Sequence, residues 1–209
     1  MPDLAVLDSG DFFLEQQVQH PLIRQEVAAF DMYEFPGVDL TPYVGLIVPG
    51  SVDQELLHRE QQRIREFLDD GKVLVFSGHL FRAWLPGGSA FVPKAIRSLC
   101  DYTVRAVTPH PIFDGVRPED LTFRKGVAGF FARGHHPSPR GAEVLLALEG
   151  GEPIVYVDRQ TTGGTILVHA GNDLWGLAGD ETTAERVVPQ LFRWMRQECK
   201  ALQERRHQA

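Results

Sequence analysis

Three short apolar runs, each closed by a turn signal, constrain this chain most. Leu4-Ala5-Val6-Leu7 ends at Asp8-Ser9-Gly10, Val44-Gly45-Leu46-Ile47-Val48 ends at Pro49-Gly50, and Val73-Leu74-Val75-Phe76 ends at Ser77-Gly78-His79. Runs this short and this continuously apolar suit strands covered on both faces. Between the second and third runs, Leu56, Leu57, Ile64, Phe67 and Leu68 recur at helical spacing. That stretch opens on an S-x-x-Q capping box, Ser51 to Gln54, with Asp53 as a second cap, and closes on Gly71. Strand–helix–strand order requires parallel strands joined by a crossover. The predicted class is α/β, a three-layer sandwich about a mostly parallel central sheet, in a single domain over residues 1–209.

A further helix is expected within Leu14 to Phe30, interrupted at Pro21. The second half changes character. Glu143 to Leu148, Ile154 to Val157 and Thr165 to His169 read as strands, and Gly150-Gly151 and Gly163-Gly164 between them signal antiparallel hairpins. The last helix is expected from Thr182 to Gln203. Its capping box runs from Thr182 to Glu185, and its stripe is Val187, Val188, Leu191, Phe192 and Met195. Pro189 either kinks this helix or marks its start.

Composition excludes several classes. With 209 residues, 43% hydrophobic and 23% charged, the chain is neither disordered, nor collagen-like, nor a small disulfide scaffold. Its formal net charge of −7 and lack of a basic stretch argue against general binding of nucleic acid or anionic membranes. Cys100 and Cys199 lie far apart with no CxxC spacing, so no structural zinc site is expected and both thiols are expected reduced and buried. The first residues have no basic region followed by a long apolar core. No stretch approaches the roughly 20 apolar residues of a membrane span. A cytoplasmic protein is expected, with no cofactor.

Four strings in chain order carry a family resemblance: Gly45-Leu46-Ile47-Val48-Pro49-Gly50, Phe67 to Val75, His110-Pro111-Ile112-Phe113-Asp114-Gly115-Val116 and Gly164-Thr165-Ile166-Leu167-Val168-His169. The chain resembles the class I glutamine amidotransferase-like superfamily, and the third string is similar to a phrase of its ThuA-like branch. The resemblance implies a flavodoxin-like arrangement, an oxyanion loop at Gly50, a nucleophile elbow near Ser77 and a catalytic histidine at His169. It also implies a homodimer.

The pattern departs from the family at the chemistry. Aligning Gly78-His79 with the family's elbow puts Phe76 at the nucleophile position, and shifting by one puts Ser77 there; neither is cysteine. Gly171 stands where the family's orienting Glu would be, with Asp173 two residues on. The main expectation is therefore an amidotransferase-like protein without a Cys-His-Glu triad, holding a small polar ligand, a sugar or metabolite, in the old crevice. Asp8, Ser9, Gly50, Ser51, Phe76, Gly78, His79, Arg133, His135 and Asn172 would line it. An alternative is a hydrolase with Ser77 as nucleophile, His169 as base and Asp173 as orienting group. A divalent metal on His79, His135, His136 and His169 is another route to hydrolysis, against the plainer expectation of no metal. A third expectation is a non-catalytic scaffold or oligomer subunit. The Gly-, Arg- and Phe-rich stretch from Phe123 to Gly134 is read as a bulged strand and loop whose arginines can grip a polar ligand. Trp84 is read as a pocket wall or as core.

Overall fold

The computed structural model describes residues 2–124 and 126–208. Eight strands form one open sheet: β1 (Leu4–Asp8), β2 (Val27–Asp31), β3 (Gly45–Val48), β4 (Val73–Ser77), β5 (Val104–Ala106), β6 (Glu143–Leu148), β7 (Pro153–Asp158) and β8 (Thr165–His169). Their order across the sheet is β2-β1-β3-β4-β8-β7-β6-β5. The first five are mutually parallel, and the pairs from β8 to β5 are antiparallel. The predicted α/β class, the mostly parallel sheet and the antiparallel second half all stand.

The helices are α1 (Phe12–Val18), α2 (Gln54–Arg59), α3 (Gln61–Asp69), α4 (Pro118–Thr122) and α5 (Val187–Gln208). The strands divide their side chains between two cores, as a period of two demands. Leu4, Val6, Ile47, Val73, Val75 and Leu167 face α1 and α5. Ala5, Leu7, Leu46, Val48, Leu74 and Phe76 face α2 and α3. Both faces are covered, which is why these strands read as continuous apolar runs.

Several boundaries differ from the sequence expectation. The helix sought within Leu14 to Phe30 ends at Val18, and residues 27–31 are the edge strand β2, which pairs only with β1. An edge strand buries only part of its surface, so its pattern is too weak to stand out. The helix sought from Ser51 is two helices that meet at Glu60. The last helix is preceded by a 3-10 turn over Thr183–Arg186, capped by Thr182, and Pro189 falls in its first turn, where a proline is tolerated. Of the two free thiols, Cys199 is buried but Cys100 is exposed. No helix among the described residues is long and apolar enough to cross a membrane.

The capping box at Ser51 to Gln54 takes a different form. Asp53 alone caps α2, accepting from the Glu55 and Leu56 N–H groups at 2.9 and 3.2 Å. Gln54 is buried and ties down the loop after β4: its Nε2 donates to His79 O, and its Oε1 accepts from Phe81 N, Arg82 N and the Trp84 indole. Asp53→Ala is expected to cost about 1 kcal/mol, read in chemical denaturation, because two N–H groups lose their acceptor.

Candidate functional site

The carboxyl ends of the parallel strands β1, β3, β4 and β8 meet along one edge, the place where open α/β sheets hold ligands. Two glycines let the loops there approach closely. A Cβ at Gly50 would lie 3.1 Å from Gly78 Cα, and one at Gly78 2.6 Å from Gly50 Cα. Gly78 also has φ of +139° and donates its N–H to His169 O at 3.0 Å. The loops after β3, β4 and β8 are thereby locked together.

The sequence candidates divide into two neighbourhoods. In the first, Asp8 accepts from Gly10 N at 2.8 Å, the Ser9 and Ser51 hydroxyls are 2.7 Å apart, and Gly50 N donates to Asp173 Oδ1 at 3.3 Å. Asn172 is exposed beside Asp173. In the second, the His79 ring stacks on Phe91 with centroids 3.7 Å apart, and buried His136 accepts from Leu80 N at 3.1 Å. Arg133 donates to Gly129 O, and His135 lies on a two-residue strand paired with Val92–Pro93. Phe76 meets the second group only from beneath, its ring centroid 6.1 Å from that of His136. It points into the core on the α2 and α3 side, edge-on to Trp84 at 5.2 Å, so both aromatics are core and neither lines the crevice.

Ser77 and His169 are neighbours in register across β4 and β8, yet among the described residues no hydrogen bond joins them. Ser77 Oγ accepts from Leu174 N at 3.4 Å. His169 is fully buried, and its Nε2 lies 2.9 Å from Phe131 O. A carbonyl only accepts, so the proton sits on Nε2. Phe131 thus orients this imidazole, and Asp173 does not. The reason is visible at Gly171. A Cβ there would lie 2.7 Å from the Phe131 carbonyl carbon and closer still to its oxygen, so the strap through Phe131 fills the place the sequence reading reserved for an orienting acid.

Three of these histidines, His79, His136 and His169, are shifted toward the neutral form. Burial, chiefly, pushes His169 down to about 3 and His136 down to about 4, and lowers His79, where the charge of Arg133 adds to the effect. Among the described residues no group of three His, Cys, Asp or Glu is disposed to hold a metal ion, so the arrangement gives no support to a site on His79, His135, His136 and His169.

Beside these loops lies a narrow crevice lined by Asp120, Leu121, Arg124, Phe130, Phe131, Asn172, Asp173, Leu174 and Leu177. It is built by α4, the Phe123–Ala128 hairpin and the loop after β8; Lys125 lies outside the described residues. Two of its carboxyls are driven apart. Burial raises Asp173 to about 7, against the opposing pull of the Gly50 N–H and the nearby Trp175 indole. Asp120 is lowered, first by its hydrogen bond from the Thr183 hydroxyl and then by Arg117. Asp120, Arg124 and Phe130 were not singled out individually from the sequence. Only the packing of distant segments gathers them.

No family model matches the chain, and no curated protein sequence matches it. Among solved structures it is similar to Gan42B, a GH42 beta-galactosidase from G. stearothermophilus, at 13% identity and TM-score 0.50 over 96% of this chain and 30% of that one. It is also similar to the exo-beta-1,4-mannosidase Op5Man5 from Opitutaceae bacterium strain TAV5, at 14% identity and TM-score 0.48 over 96% of this chain and 35% of that one. A beta-galactosidase from the psychrophilic Marinomonas ef1 matches at 12% identity and TM-score 0.42, over 95% of this chain and 29% of that one. The chain therefore spans about a third of the length of these proteins. At such identity the likeness is one of fold. The amidotransferase-like and ThuA-like assignment does not hold, nor does the reading of a cysteine-less amidotransferase that kept its crevice: no family model matches, and the similar structure at TM-score 0.50 is a beta-galactosidase. Three of the four strings behind it mark strand ends and tight backbone crossings, and the third in chain order, His110 to Val116, forms a 3-10 turn over Pro111–Phe113. Gly50 packs on Gly78 and Gly164 on the Leu68 and Lys72 backbone, a need any sheet of this order shares.

Proposed function

We propose that the chain is a hydrolase acting on a saccharide, with its chemistry in the crevice between Asp120 and Asp173. The observation that carries this is the convergence on one crevice of two carboxyls, Asp173 raised by burial and Asp120 lowered by its hydrogen bonds, with Asn172, Arg124 and Phe130. Glycoside hydrolysis uses such a pair. Asp173, protonated near neutral pH, donates to the glycosidic oxygen as the carbon–oxygen bond breaks. Asp120, ionised, takes a proton from the water that adds at the anomeric carbon. Ser77 and His169 act in support. Ser77 holds the backbone next to Asp173 through Leu174 N, and His169 holds the strap through Phe131.

The test is release of chromophore from aryl β-mannosides and β-galactosides by the purified chain. Turnover that persists within fivefold in Ser77→Ala supports the carboxyl pair. Loss of turnover in that variant would return the chemistry to the serine. Absence of turnover, together with absence of saccharide binding, overturns the proposal.

The first four strands follow the order 2-1-3-4, which supports a flavodoxin-like first half. Residues 1–209 are proposed as one domain, since α5 packs under β3 and β4 and its Arg196 pairs with Asp3 and Glu26 at the other end of the sequence. A cytoplasmic homodimer is also proposed. Exposed Phe12, Phe13 and Phe81 provide contact area, whereas all three tryptophans are buried and provide none.

A further inference from the structure

The two edges of the sheet are finished differently. At one edge, β5 is three residues long, α4 packs against it, and the Thr122 hydroxyl of that helix accepts from Val104 N at 2.9 Å. Arg105 stands exposed at its centre, paired with Glu149. A short, charged strand covered by a helix is closed to further pairing. At the other edge, β2 offers five residues, Val27-Ala28-Ala29-Phe30-Asp31, with no proline, no lysine and an unbroken register on β1. Among the described residues, only β1 bonds to its backbone from Ala28 to Phe30. A strand with one neighbour turns every second N–H and C=O away from it, so this edge is a template for another strand. Charge decides which strand and in which direction. Arg24 lies just ahead of β2, Asp31 at its end and Glu34 just beyond. All three are exposed, and among the described residues none has an ion-pair partner. A second copy laid antiparallel brings each Arg24 to the acidic end of the other chain, whereas a parallel copy would set like charges side by side. Side-chain size agrees. Pairing all five residues about a twofold axis puts Ala29 opposite its own counterpart and Ala28 opposite Phe30 of the second copy. The central alanines let the backbones meet, and half-buried Phe30, which leans on Tyr43 at 6.3 Å between centroids, gains a methyl group to cover it. Exposed Leu22 and Tyr33 flank the strand and add apolar area at its ends.

We infer that β2 is a self-association edge: two copies of the chain join β2 to β2, antiparallel about a twofold axis, into one continuous sheet. The same patch serves both copies, as a twofold interface requires. This rests on the proposed homodimer and names β2 as its centre; it is independent of the hydrolase reading.

The experiment is sedimentation velocity of the intact chain at concentrations up to about 1 mM, the weak end of specific association. So short a strand buries little area, so the wild-type dimer is expected to be weak and to shift with concentration. Ala29→Lys sets two like charges face to face at the axis and is expected to leave only monomer. Arg24→Glu turns two attractive pairs into two repulsive ones and is expected to weaken the dimer about tenfold. Adding Glu34→Arg to it is expected to restore the dimer. Ala29→Cys, made together with Cys100→Ser to remove the exposed native thiol, is expected to give a disulfide-linked dimer with oxidised glutathione, because residues opposite on antiparallel strands have Cα atoms about 4.5–5.5 Å apart. A dimer that survives Ala29→Lys, or that is lost in Phe12→Ser with Phe13→Ser and kept in Ala29→Lys, overturns the β2 edge and leaves the homodimer standing. A wild-type chain that is monomeric throughout overturns both. Melting temperatures equal to wild type, at a dilution where all forms are monomeric, would show that lost pairing is not lost folding.

Discussion

Asp173→Asn is expected to lower glycoside turnover by about two orders of magnitude or more, the size of effect general acid catalysis carries, while leaving saccharide affinity nearly unchanged. The amide keeps the acceptor for Gly50 N and the shape of the group but has no acidic proton to give. The sign of the pH dependence follows from the raised value. Asp173 is protonated below about 7 and ionised above it, so the wild-type rate should fall as pH rises through that value. Turnover in Asp173→Asn equal to wild type would remove Asp173 from the chemistry.

The same substitution has a stability signature. A carboxyl whose value rises from 3.8 to about 7 on folding binds a proton more tightly in the folded state. Its contribution is complete below 3.8, declines as pH rises, and is gone above about 7. His136 and His169, lowered on folding, act the other way across the acid range, so the wild-type curve alone is mixed. The difference between variant and wild type isolates Asp173. Asp173→Asn should gain in melting temperature relative to wild type between pH 5 and pH 8. A constant difference would mean that the carboxyl is not desolvated.

Gly171→Ala is expected to have the largest effect on folding. One methyl group would overlap the Phe131 carbonyl, which is backbone and cannot swing aside as a side-chain tip can. The strap must lift, and with it go the His169 contact and the seating of Phe130. Overpacking of this kind costs about 3 kcal/mol, which for a chain of this size corresponds to a fall of roughly 6–12 °C in melting temperature. Gly37→Ala is the control, since a Cβ there meets nothing within 4 Å and its φ is ordinary. A fall of less than 2 °C in Gly171→Ala would mean that the strap does not rest on Gly171.

The central strands were legible because they are buried on both faces, and local hydropathy records that directly. Edge strands β2 and β5 were not, since half-burial leaves little signal in so few residues. The antiparallel pairs β6–β7 and β7–β8 were legible because paired glycines marked their turns.

Of the proposed crevice, Asn172 and Asp173 were named from the sequence because they follow a strand end; Asp8, Ser9, Gly50 and Ser51 also lie at strand ends but do not line it. The family resemblance misled because three of its four strings encode strand ends and close crossings, which similar sheets share whatever their chemistry. Phe76 was placed wrongly because alternation along β4 turns it to the face opposite Ser77.

The sequence by itself determined the class of fold, the parallel core and the edge where a site must lie, since these follow from local periodicity and turn chemistry. Only the tertiary structure decided which groups meet there. The Phe131 strap crosses Gly171 from 40 residues upstream, and Asp120 and Arg124 line one crevice with Asp173 from a segment about 50 residues upstream. Such meetings depend on packing between residues far apart in the chain, and no local signal records them.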